Sequence, residues 1–159
     1  MLFVFLSDGS IDPTFNTFSC QSNDLNEILI QNDGKIIVLG SFSINSGGTF
    51  PNLIRLNTDG TIDPGFAIGT GPNSVVTAGL ITNSGKIMNG GDFTSFNGFP
   101  AQRLASLNSD GSFDPTFDYN GQILSVVKAI KKQPDGKLYV TAETMSDNNN
   151  IAVDLVRMN

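Results

Sequence analysis

The chain has 159 residues, enough for one domain with a sizeable core, and its 39% apolar and 15% charged residues describe a folded rather than a disordered polypeptide. A net charge of −6 opposes long contacts with phosphate backbones, which need clustered Lys and Arg to release counterions, so nucleic acid is not an expected partner. The chain contains no histidine, which removes Ser-His triads, Cys-His dyads and the commonest transition-metal ligand.

The opening MLFVFL is apolar but lacks a basic flank and runs directly into Ser7-Asp8-Gly9, so it is too short for a signal peptide or a membrane span. It reads as a strand before a tight turn, followed by a second turn at Asp12-Pro13 and an apolar stop at Phe15. Cys20 is the single cysteine, which rules out an intrachain disulfide and suits a small buried or half-buried side chain. Residues 25–42, LNEILIQNDGKIIVLGSF, set a polar Gly-containing turn between two runs of strand length and predict a β-hairpin. A loop at 43–52 then leads to a short apolar strand, LIRLN, at 53–57. The series recurs with Asp59-Gly60, Asp63-Pro64 and Phe66, a hairpin at 76–93, a loop at 94–103 and the strand LASLN at 104–108. It begins again with Asp110-Gly111, Asp114-Pro115 and Phe117, a hairpin at 127–144 and a loop at 145–153.

The period is strict: Asp8, Asp59 and Asp110 stand 51 residues apart, as do Asp33, Ser84 and Asp135, each of the latter followed by Gly-Lys. One repeat domain follows, with units 1–51, 52–102 and 103–153 and the first strand of a further unit at 154–159. No stretch keeps a helical period. Three or four short antiparallel strands per unit of this length predict an all-β protein of β-propeller type rather than a solenoid, whose coils are shorter and parallel.

LNTDGTIDPGF, residues 56–66, invites a calcium-loop reading. With Gly60 as the turn glycine, however, Arg55 falls on a ligand position and Phe66 on the closing one, which no EF-hand permits. The aspartates instead predict tight turns whose carboxylates accept nearby backbone N–H groups. Eight of the fifteen acids (Asp8, Asp12, Asp33, Asp59, Asp63, Asp110, Asp114 and Asp135) occupy such recurrent positions. The others, including Glu27, Asp92, Asp118 and Glu143, show no spacing that fixes an acid–base pair, so a carboxylate-based glycosidase is a distant alternative. Gly47-Gly48 and Gly90-Gly91 lack the Gly-Lys-Ser/Thr element of a phosphate loop and read as turns, bends and close backbone contacts. Lys128, Lys131 and Lys132 read as a solvated strand edge. Lys131-Lys132 replace Leu29-Ile30 and Leu80-Ile81, and Ala142-Glu143-Thr144 replace Gly40-Ser41-Phe42 and Gly91-Asp92-Phe93, which marks the third unit as a cap facing water.

GDFTSFNGFPAQRLASLNSDGSFDPTF, residues 91–117, together with the QNDGKIIVLGSF and QPDGKLYV hairpins, resembles the delta-60 repeat, a bacterial and phage module assigned to β-propellers. The resemblance covers the whole chain and implies blades, often in long arrays on secreted, cell-surface or virion proteins, with no agreed enzymatic activity.

The expected role is therefore a non-catalytic scaffold for protein binding or assembly, with glycan binding as the alternative, no cofactor and no metal. Three units fall short of the roughly four blades that propellers need, so self-association or a place in a longer array is expected. The loops differ more among units than the hairpins do, which makes them the place for specificity. Phe50, Phe96 and Phe99 are candidate stacking residues, and Phe96, Phe99 and Arg103 of the second loop make the best candidate binding site, combining groups enriched at interface hot spots.

Overall fold

The computed structural model describes residues 4–16, 21–43, 52–119, 123, 125–145 and 151–158, and among these it contains strands and turns but no helix. Cys20, Phe50 and the Gly47-Gly48 doublet lie outside the described residues. Three antiparallel three-stranded sheets repeat one plan. The first consists of β1 (Gln21–Ile30), β2 (Ile36–Ser43) and β3 (Leu53–Leu56). The second joins β4 (Val76–Ile81) and β5 (Ile87–Gly91) to β8 (Leu104–Leu107), with a small hairpin of β6 (Ser95–Phe96) and β7 (Phe99–Pro100) inserted between them. The third is built from β9 (Val126–Lys132), β10 (Leu138–Met145) and β11 (Ile151–Met158).

All three predicted hairpins are present, and their middle strands also pair with the short strand that follows, as in Ile36 with Leu56 and Ile87 with Leu107. The fourth segment of each unit is reduced to a single bridge, at Phe5–Ile11, Leu56–Ile62 and Leu107–Phe113. The first two sheets thus take their third strand from beyond the 51-residue boundary, β3 from the second unit and β8 from the third, while β11 straddles the end of the third unit.

Strand alternation sends side chains to two different cores. From β2, Ile37 and Leu39 face the second sheet, while Val38 joins Ile54 and Leu56 on the opposite face under Phe15. The first core lies between sheets one and two around Ile37, Leu39, Leu53, Ile87, Phe93 and Phe96. Between sheets two and three, Met88, Leu104, Val127, Ile130 and Val140 form another. Each such fully buried apolar side chain contributes roughly 1.5–3 kcal/mol relative to exposure. Phe15, Phe66 and Phe117, the apolar ends of the three turn motifs, pack one per core.

Adjacent sheets are also tied through their first strands. Asn26 Nδ2 of β1 donates to Val76 O of β4 at 2.8 Å, and Thr77 Oγ1, one period later, donates to Val127 O of β9. Gly90 needs its missing side chain, since a Cβ there would lie 2.3 Å from Val127 Cγ1 of the next sheet. Lys128 occupies the position of Asn26 and Thr77 in the third sheet, is exposed, and meets Glu143 at 3.4 Å. Lys131 and Lys132 are exposed beside it on this edge strand.

Candidate binding cleft

The turn aspartates are engaged by their own turns. Asp59 Oδ1 accepts from Thr61 N at 2.9 Å and Thr61 Oγ1 at 2.6 Å, and Asp8 and Asp110 repeat the pattern with Ser10 and Ser112. At the Asp-Pro position, Asp12 and Asp114 accept from Thr14 N and Thr116 N, and Asp63 Oδ1 accepts from Gly65 N. These bonds hold Asp8, Asp12, Asp59 and Asp110 below the usual carboxylate range.

Sequence reasoning missed the cations that reach the same carboxylates. Lys35 Nζ lies 2.8 Å from Asp63 Oδ2, and Lys86 Nζ 2.5 Å from Asp114 Oδ2. Both lysines belong to the Gly-Lys hairpin turns, and both stand 28 residues before their aspartate, a recurrence visible in the sequence. Arg55 adds a second cation at Asp63, with Nε 2.8 Å from Oδ2 and its guanidinium 4.5 Å above the Phe66 ring. Lys35, with help from Gly65 N and Arg55, lowers the Asp63 pKa from 3.8 to about 2, and Lys86 with Thr116 does the same for Asp114. Carboxylates depressed in the folded state stabilise it fully above the unfolded value and lose that contribution as pH falls through the folded value. The melting temperature is therefore expected to hold down to about pH 4 and to fall between pH 4 and 2, the Asp63 cluster contributing on the order of 2 kcal/mol and the Asp114 pair less, since Lys86 is partly screened by solvent. A melting profile flat across that window in a calorimetric pH series would rule out this role.

The second loop is folded rather than open. Asn97 and Gly98 take φ of 50° and 79° at the tip of the β6–β7 hairpin, the positive values that an Asn-Gly turn supplies. Phe96 and Phe99 pair directly across it. Asn73 Oδ1 accepts from Thr94 N and Ser95 N at 2.9 and 3.1 Å, and Asn97 Oδ1 accepts from Thr70 N at 3.1 Å, docking the hairpin on the segment before β4.

This placement separates the three candidate residues. Phe96 is fully buried in the first core, edge-on to Phe93 at 6.0 Å. Phe99 is half-exposed and stacks parallel on Phe113, with centroids 5.0 Å apart. Arg103, in a left-handed conformation at φ 68°, turns back to Asp92, donating to both its backbone oxygen and its carboxylate. The two phenylalanines meet at Phe113, and Phe99 is the one that presents aromatic surface.

Beside Phe113 opens a cleft of about 560 Å3, lined by Pro100, Gln102, Phe113, Phe117, Asp118 and Tyr119 among the described residues. Tyr119 closes one wall, its hydroxyl donating to Gln102 O at 2.5 Å and its pKa raised chiefly by burial. The aromatic walls carry stacking surface, and Asp118 brings a carboxylate to the rim. Sequence reasoning read Phe117 only as the apolar end of its turn motif and passed over Tyr119. The departure of Tyr119 from its repeat equivalent Ile68 was the available signal.

No curated protein matches the chain. A family model matches residues 31–66, 82–117 and 133–159, each span starting 51 residues after the last and the first two running from a hairpin turn to a motif phenylalanine. These spans cover more than half of the chain, each beginning at a hairpin turn just after the first strand of its sheet. The chain therefore belongs to the family described as domain of unknown function (DUF5122) beta-propeller.

Proposed function

We propose that this domain is a non-catalytic propeller scaffold whose role is protein binding, and that it assembles with further copies of itself. Its repeats are read as delta-60 units, a reading supported by the family match over the motif-bearing spans. The non-catalytic reading is supported by the commitment of the recurrent aspartates to turns and internal ion pairs.

One observation carries the assembly reading: the first turn motif stands exposed where its repeat equivalents are covered. Phe5, Leu6 and Ile11 are 65%, 45% and 50% exposed, whereas Leu56 and Leu107, one and two periods after Phe5, are fully buried by pairing with a preceding hairpin. Asp12 is half-buried and, among the described residues, forms no ion pair with a lysine, unlike Asp63 and Asp114. At the other end of the stack, Lys137, one period after Lys86, falls back on neighbouring Asp135 at 3.1 Å, and Leu155 is 64% exposed. The two ends are complementary in the same terms as the internal contacts, apolar to apolar and Lys137 to Asp12. Two chains would supply six blades, within the usual propeller range of about four to eight. Light scattering at micromolar concentration is expected to give a dimer or larger species, weakened by Lys137→Glu. A folded monomer throughout that range would sink the proposal.

A further inference from the structure

Sheet two turns small residues toward both of its neighbours. Side chains paired across strands share a face, so the row facing sheet one is Gly79, Asn89 and Ala105, and the row facing sheet three is Ala78, Gly90 and Leu104. The neighbours supply the bulk. Sheet one sets Glu27, Leu39 and Leu53 against the first row, and sheet three sets Ile130 and Val140 against the second. A Cβ on Gly79 would lie 2.3 Å from Leu39 Cδ1 and 2.9 Å from Leu29 Cδ1, and one on Gly90 would lie 2.3 Å from Val127 Cγ1 and 3.2 Å from Ile130 Cδ1. Glu27 Oε2 reaches across to accept from Gly79 N at 2.5 Å. Asn89 is fully buried, and its Oδ1 meets no donor among the described residues, a cost that its repeat equivalents Val38 and Val140 do not carry.

The two interfaces are reversals of each other. Leu39 and Gly90 are repeat equivalents, and so are Gly79 and Ile130, so the large partner comes from the earlier sheet at the first interface and from the later sheet at the second. Glu27 against its equivalent Ala78 follows the same reversal. We propose that this reversal selects which sheet can follow which, and so which surface each blade accepts as a partner. A chain with a strict 51-residue period is exposed to skipping a blade or exchanging one with a second copy, because its units are built alike. Sheet one placed directly on sheet three would oppose Leu39 to Ile130 and overfill the contact, whereas sheet two placed on sheet two of another copy would oppose Gly90 to Gly79 and leave a void. Only the order one, two, three matches large to small at both contacts. The rule is read from the two interfaces inside the chain and owes nothing to the exposed end faces, so it stands or falls separately from self-assembly.

Leu39→Gly opens a void and Gly79→Ile overfills the same contact, so each alone is expected to lower the melting temperature by about 10 °C or more. Combined, they build the first interface in the sense of the second, and the pair should recover at least about half of the summed loss. The combined variant then has the same sense at both interfaces, so the rear of sheet one also accepts sheet three. Refolded from urea and run on gel filtration, it should leave a fraction outside the native species at least about twofold larger than the wild type leaves. The native species is whatever the wild type forms, so self-association does not alter the comparison. If the combined variant does not fold, Gly90→Leu with Ile130→Gly reverses the second interface instead and carries the same two expectations. Failure of both pairs to recover stability beyond the sum of their single substitutions overturns the reversal. A pair that recovers its stability yet refolds as cleanly as the wild type reduces the reversal to packing and overturns the selection of order.

Discussion

Asp63→Ala is expected to lower the unfolding free energy by about 3–5 kcal/mol, because it strands a buried cation rather than merely opening a turn. Turn hydrogen bonds alone would set the loss near 1 kcal/mol. Arg55, however, is 7% exposed and shares Asp63 Oδ2 with Lys35, so alanine leaves a guanidinium inside the protein without its counter-charge. The three repeat equivalents make the control internal. Asp114→Ala loses a bond to Lys86, whose side chain is 40% exposed and can turn to water, so it should cost less. Asp12→Ala removes a half-buried carboxylate that only fixes Thr14, and should cost least. Urea denaturation of the three variants checks the order; equal losses would mean that the turn, not the ion pair, sets the energy. Asp63→Ala with Arg55→Met should recover part of the loss, since the orphaned charge goes with it.

Phe96→Ala is the other large expected loss, about 3–5 kcal/mol, against about 1 kcal/mol or less for Phe99→Ala. Only Asn97 and Gly98 separate them on one hairpin, yet Phe96 is fully buried between sheets one and two while half of Phe99 meets solvent. Truncating Phe96 opens a void that Phe93 and Phe113, held in their own contacts, cannot close. Truncating Phe99 removes one stacked partner from Phe113 and leaves the core intact. Thermal melts of both variants decide it, and a stable Phe96→Ala protein would show that the loop, rather than the core, holds this ring.

The strict period made the hairpins legible, because each places a Gly-Lys turn between two runs of strand length and nothing in the tertiary structure competes with that pattern. The strand LIRLN was legible for the same reason, but not its partner: pairing across the unit boundary is a long-range choice that local sequence does not encode. Asn97-Gly98 between two phenylalanines is a strong hairpin signal, and it was passed over in favour of a loop. Phe96 and Arg103 were read as site residues from residue type and their place in the variable second loop. Burial separates two phenylalanines that composition treats alike, and the backbone reversal that turns Arg103 toward Asp92 leaves no mark in residue type. The cleft was harder still. Its walls come from residues 100–105 and 113–119, which only the fold brings together.

The offset between sequence unit and sheet affects how the molecule tolerates being cut or copied. A break in the segment between β3 and β4 leaves a complete three-stranded sheet on either side, whereas a break between β2 and β3 leaves a strand joined to its sheet only by hydrogen bonds and core packing, with no chain connection. Copying 51 codons from any starting point would still insert one entire sheet, since the borrowed strand is always returned by the next copy. The stitched junction therefore lets the gene lengthen or shorten by whole blades without the breakpoint ever having to fall between them.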